Sequence, residues 1–370
     1  MNTKTFQNIS KIIERDNKTT TYKFALLRGV IDIIQENSPF ISFSNDRVYF
    51  PLGLLLEKWL LYYYPILDSS IKIPQINGEF NLAFEVQFRR IISAYKEAGG
   101  FSAFYNDLKN QNLPANLTLD LLELLKKMQN TILRMPMRYI GRSISNSYYS
   151  IFNYELNRKR KNIYKLDAEF LINNFGTFSI PNDYYEAFRT LGSFLGGTDS
   201  ILFKWAEFSV NASNKNLEVE KVISEILKFP ITQREVEQSK KIYSDIIKRE
   251  GKVYCVWTGK TLLKYDIDHI IPFSIWKNND LWNLLPAQPK INNQKRNKIP
   301  SAKMIEKQKN YIIHYWELIE KYQRERFRKE IRVTLLGNDS TLDWQRTAIN
   351  KLEKCCDFLI TTRGYEEWII

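Results

Sequence analysis

Apolar positions recur at helical spacing through the first two-thirds of the chain. Phe24, Leu27, Val30, Ile31 and Ile34 share one face, and Thr19–Thr21 supply N-caps, which predicts a helix running to about Gln35. The run FISFSNDRVYF (Phe40–Phe50) alternates around Asn45-Asp46 and predicts a β-hairpin. Pro51 then opens a helix through a Leu/Trp/Tyr run. Further helical periods fall near Asn81–Ala98, Leu119–Leu133, Asp183–Leu195 and Thr232–Arg249. The stretch Arg138–Asn162 is rich in Tyr, Ser and Asn and breaks the pattern, so strands or a structured loop are expected there.

The pattern changes at Gly251, where a charged helix ends. Val253–Trp257 and Asp266–Pro272 read as two strands joined through Thr258-Gly259-Lys260. Pro286 stands where a helix would start, and that helix would carry Asn292 and Lys295 on adjacent turns. Long helical runs follow over Ser301 to about Arg328 and Leu342–Thr361. The fold class expected is α+β: a mostly helical domain over 1–250, a small mixed domain over 251–303, and a helical extension over 304–370 packing on it.

Composition narrows the partners. The net charge is +13 with a pI near 9.3, which favours a polyanion. Between Gly251 and Lys303 stand nine Lys or Arg against three Asp, so much of the excess lies in one short segment. The three cysteines, Cys255, Cys355 and Cys356, offer no C-x-x-C pair, so no zinc is expected. Few cysteines and no apolar signal core in MNTKTFQNISKIIERD lead us to expect a cytoplasmic protein. Glu57 and Lys58 interrupt the most apolar stretch, Pro51–Leu67, so no membrane partner is expected.

The candidate chemistry lies in Tyr265–Pro300, YDIDHIIPFSIWKNNDLWNLLPAQPKINNQKRNKIP. An Asp-His pair, Asp268-His269, sits on a short apolar run and is followed by an Asn/Asp-rich turn. Asn283 comes 14 residues after His269 and Asn292 a further 9, and His269 is one of only two histidines. A hydrolytic metal site needs hard oxygen ligands, a base near neutral pH and cations for a phosphate. Asp268, His269, Asn292 and the Lys295/Arg296/Lys298 cluster supply all three.

This segment resembles the HNH endonuclease family, the ββα-metal fold, over roughly Lys252–Lys303. It is similar both to restriction-type HNH proteins and to the HNH domain of RNA-guided CRISPR effector nucleases, in an H-N-N version. The resemblance implies that Asp268 and Asn292 hold Mg²⁺ or Mn²⁺, that His269 is the general base, and that Asn283 is the central asparagine of the catalytic motif. The Asn283 amide would pin the loop backbone and hence the histidine. Asp266 reads either as a carboxylate supporting the site or as a strand-end residue. Lys290, Lys295, Arg296, Lys298 and Lys303 are expected to grip phosphates.

The activity expected is metal-dependent hydrolysis of DNA, double-stranded first, in prokaryotic restriction or anti-phage defence. Two alternatives stand beside it: a nuclease subunit working with guide RNA or a protein partner, and a non-catalytic nucleic-acid-binding protein on an HNH-like scaffold. Outside the motif, His314 is expected in a helix core. Arg158–Lys161 is either a phosphate grip or a solvated charge run, and the Tyr139–Tyr154 aromatics are either core or base-stacking.

Overall fold

The computed structural model describes residues 3–16, 18–78, 81–110, 113–141, 144, 150–157, 166–195, 201–226, 228, 236–339 and 342–370. Helices dominate and the sheets are small, an α+β fold. The chain divides into two compact units, Met1–Ile231 and Thr232–Ile370.

In the first unit, the helix Leu52–Asp68 follows Pro51 as expected and is buried nearly all round, so it acts as a central rod. Its neighbour Tyr22–Gln35 buries Phe24, Leu27, Val30, Ile31 and Ile34. The expected hairpin forms as β1 (Ser42–Ser44) and β2 (Arg47–Pro51). Asn45 and Asp46 turn it with φ of 47° and 58°, values that two-residue hairpin turns require and Asn and Asp tolerate. The sheet continues through β3 (Asn153–Glu155) and β4 (Thr177–Pro181) in the order β1-β2-β4-β3, antiparallel throughout. The Phe50 and Phe178 rings stack across it at 5.0 Å. Of the Tyr139–Tyr154 aromatics, Tyr154 is exposed on β3; Arg158–Lys161 lies outside the described residues.

In the second unit the helix Glu237–Glu250 ends on Gly251, whose φ of 78° suits the left-handed cap. This helix, placed before the expected boundary at Gly251, falls in the second compact unit. It buries Ile242, Tyr243 and Ile246 in the second core, and the Tyr243 hydroxyl donates to Leu284 O at 2.9 Å.

The strand pair also differs from the expected one. Val253–Trp257 makes a single bridge, Tyr254 with Thr261, because the chain doubles back at once through Cys255 N to Lys260 O and Thr258 N to Cys255 O. Gly259 at this bend has φ of 69°, and a Cβ there would meet the Tyr311 hydroxyl at 2.4 Å. The paired strands are β5 (Asp266–His269) and β6 (Leu284–Ala287), antiparallel, with Asp268 opposite Leu285 and His269 opposite Leu284.

Pro286, expected to open a helix, lies inside β6 instead. A two-stranded sheet leaves an outer edge on each strand, and proline is tolerated at an edge. The helix begins three residues later, as Pro289–Lys295 with Pro289 at its first turn. It is followed by β7 (Ile299–Pro300), which pairs in parallel with β8 (Glu367–Trp368).

Helices Ala302–Ile331 and Trp344–Thr361 share one core with β5 and β6, through Ile312, Tyr315, Trp316, Leu352 and Cys356. His314 corrects the expectation of core packing: it is exposed beside Tyr315. No helix among the described residues is long and apolar enough to cross a membrane.

Candidate active site

The end of β5 places Asp268 and His269 next to each other, and both line one cavity. Both are buried, 4% and 3% exposed. Asp268 Oδ2 accepts from the Trp257 indole at 2.6 Å, and Oδ1 from Lys295 Nζ at 3.1 Å. Lys295 also donates to His269 O at 2.5 Å, so one ammonium ties the helix Pro289–Lys295 to both residues of the motif.

Lys295, expected among the phosphate-gripping residues, has a fully buried side chain. A long aliphatic stem reaching in from the last turn of a short helix can place a charge inside, where a carboxylate offsets it.

His269 Nε2 lies 3.3 Å from Asn279 Oδ1, and the ring packs at 5.6 Å on Phe273. Asn283 is fully buried and clasps Ile271 from both sides: its Oδ1 accepts from Ile271 N at 2.8 Å and its Nδ2 donates to Ile271 O at 3.0 Å. Its own carbonyl takes Ile270 N at 2.8 Å. Asn283 thus fixes the backbone just past His269, and its amide is engaged inside the protein.

Asn292, on the helix Pro289–Lys295, donates Nδ2 to Asp266 Oδ2 at 3.3 Å. That bond sets the amide: with the nitrogen turned to Asp266, the oxygen is the end left for another partner. Asp268, His269, Asn292, Asn293, Arg296 and Lys277 come together around a cavity of about 400 Å³, closed by Pro272, Phe273, Ser274 and Asn297.

Lys277 and Arg296 hold left-handed backbones there, with φ of 48° and 50°. A non-glycine residue in such a conformation costs on the order of 1–3 kcal/mol, a cost that clusters at functional sites. Lys290 and Lys303 are exposed but do not line the cavity, and Lys298 is ion-paired with Glu366.

The pattern along the chain leaves three contributors unflagged. Asn279 stands in the Asn278-Asn279-Asp280 run, a composition that signals a turn and nothing more. Lys277 belongs to the basic excess but to no motif. Trp257 carries no signal, because its contact with Asp268 depends on the bend at Gly259.

Asp268 and Asn292 both line this cavity, and carboxylate and amide oxygens are the ligand types that suit a hard divalent cation. Among the described residues no group of three or more His, Cys, Asp or Glu could hold a metal ion, so an ion here would lean on the amide and on further oxygens, water or phosphate.

The family model for HNH endonuclease matches residues 255–301, the segment that builds this cavity. No curated protein and no solved structure matches the chain. The longer match covers residues 2–226, most of the first unit and more than half of the chain, and by it the protein belongs to the family described as Domain of unknown function (DUF8808).

Proposed function

We propose that this protein is a metal-dependent endonuclease that hydrolyses DNA phosphodiester bonds at the cavity around Asp268, His269 and Asn292. The observation that carries the reading is the convergence itself: an acid, an imidazole and a side-chain amide meet in one cavity, with Arg296 and Lys277 on its wall. A scaffold that only bound nucleic acid would not need that set brought together. The match to HNH endonucleases over the same residues supports the nuclease class.

Each group has a task. His269, whose Nε2 lies 3.3 Å from the Asn279 oxygen, takes a proton from the attacking water. The water adds to phosphorus in line with the 3′-oxygen, that bond breaks, and the products are a 5′-phosphate and a 3′-hydroxyl. Asp268 and Asn292 would hold Mg²⁺ or Mn²⁺, which supplies Lewis-acid stabilisation of the charge that builds on the phosphate. Asn283 positions His269 through Ile271, Asp266 orients Asn292, and Lys295 offsets the buried charge of Asp268. Arg296 and Lys277 meet the phosphates beside the scissile one.

Target choice falls to the first unit, since a site of this size reads little sequence by itself. A restriction or anti-phage setting rests on the family resemblance. The deciding experiment incubates the purified chain with plasmid DNA, with and without Mn²⁺ and chelator, beside the His269→Ala variant. Cleavage that survives chelation, or that survives the substitution, overturns the reading.

A further inference from the structure

The turn 278–283 is gripped from two sides. On the inner side Asn279 reaches the His269 ring and Asn283 clasps Ile271. Within the turn, Asp280 N donates to Asn278 Oδ1 and Asn278 Nδ2 to Asp280 Oδ2, both at 2.7 Å, so Asn279 is carried on a rigid loop. On the outer side stands Glu330, near the end of the helix Ala302–Ile331. Its Oε2 accepts from Leu281 N at 2.7 Å, while its Oε1 takes Arg326 Nε at 2.5 Å. Trp316 of the same helix donates to Trp282 O at 2.8 Å. The Leu281 N–H thus lies between the asparagine that touches the imidazole and the asparagine that fixes the backbone beyond it.

Glu330 is an unfavourable choice for mere surface capping. Its side chain is only 17% exposed, and Asp280 adds a second carboxylate close by. Burial first, and then Asp280, push its carboxyl up to about 8. It does not line the cavity, so it does not meet substrate there. An acid kept in such a place, with an oxygen aimed at one backbone N–H of the turn, is accounted for by what that turn carries.

We propose that Glu330 is a positioning residue for His269: by holding the Leu281 N–H it fixes where Asn279 meets the imidazole. The inference rests on the reading of His269 as the base, yet the contact can be tested without any cleavage. The chain has two histidines, so ring ¹⁵N signals can be assigned in the full-length protein by comparison with His314→Ala. At fixed pH, Glu330→Ala should move the His269 ring nitrogen signals and leave His314 in place. Glu330→Gln keeps an acceptor for Leu281 N–H and should restore the wild-type signals.

In cleavage assays, Glu330→Ala should lower kcat by about tenfold or more at unchanged KM, the scale typical of losing an outer-sphere partner. Glu330→Gln should lose markedly less than Glu330→Ala, because an acceptor for the Leu281 N–H remains. Asn279→Ala should cause a like loss, and the double variant Glu330→Ala with Asn279→Ala should lose no more than the worse single one.

His269 signals that do not move in Glu330→Ala, or losses that simply add, overturn the proposal. If Glu330→Ala does not fold, Glu330→Gln and Asn279→Ala decide: a Gln variant as impaired as Asn279→Ala overturns it. A wild-type chain that never cuts DNA, with ring signals that still respond, would sink the nuclease reading and leave the positioning contact standing.

Discussion

Lys295 Nζ lies 3.1 Å from Asp268 Oδ1 with both side chains buried, so this ammonium answers a carboxylate inside the protein. Removing it should therefore act on folding before it acts on binding. Lys295→Met leaves Asp268 as an uncompensated buried charge, which costs about 3–5 kcal/mol. Urea unfolding followed by tryptophan fluorescence should show the loss, aided by Trp257, the other partner of Asp268. A variant of unchanged stability, whose DNA binding had dropped one phosphate's worth of salt dependence, would return Lys295 to the surface role.

His269→Ala should reduce the cleavage rate by at least ~10²-fold, the lower end of what a general base contributes. DNA affinity should change by only a few-fold, because affinity comes mainly from interactions with phosphates. Asp268→Ala and Asn292→Ala should cut poorly and recover in part at higher Mn²⁺. Binding and single-turnover cleavage measured on one duplex separate the cases, and a His269→Ala protein that loses both together would mark the histidine as structural.

Much of this site is legible in the sequence because its spacing is local. Asp268, His269, Asn283 and Asn292 lie within one short stretch; strand and helix bring Asp268, His269 and Asn292 to one cavity, while Asn283 is buried and holds Ile271. The burial of Lys295 is not legible, because charge alone implies exposure and the carboxylate that reverses this lies 27 residues away. Val253–Trp257 reads as a strand because a β-rich run cannot reveal that its partner is one residue of a tight bend. The same limit hides β4 in the first unit. Its register with β2 joins residues more than a hundred positions apart, and local periodicity carries no such information.

Stability should depend on pH through Glu330. Its carboxyl is raised from an ordinary 4.5 to about 8, so between those values the folded chain binds the proton that the unfolded chain releases. The contribution is fully present below about 4.5, falls as pH rises, and is gone above about 8. Replacing Glu330 with Gln removes the ionisation, so the melting temperature of the second unit should fall less across that window than in wild type. Equal slopes for the two proteins would show that Glu330 is not held protonated.

Salt dependence should sort the basic residues. Arg296 lines the cavity and is exposed, whereas Lys298 is engaged with Glu366 and Lys295 is buried. Each phosphate that a variant no longer neutralises on duplex DNA lowers the log–log salt slope by about 0.9. Arg296→Gln should show that decrement and Lys298→Gln a smaller one. Slopes that respond to Lys298 more than to Arg296 would place the DNA path away from the cavity.

The second unit should fold only if its first helix is kept. Glu237–Glu250 contributes Ile242, Tyr243 and Ile246 to the core, and Tyr243 satisfies the carbonyl of Leu284, the residue opposite His269. Each buried side chain of this kind is worth about 1.5–3 kcal/mol. Three of them amount to a large share of the ~5–15 kcal/mol that holds a typical domain. A fragment beginning at Lys252 would expose that apolar surface and leave a buried carbonyl at the start of β6 without its donor. A fragment beginning at Thr232 retains both. Circular dichroism and thermal melts of the two should therefore give a cooperative transition for the longer and none for the shorter. A cooperative melt of the Lys252 fragment at the temperature of the longer one would show that this helix is an attachment and not part of the second unit's core.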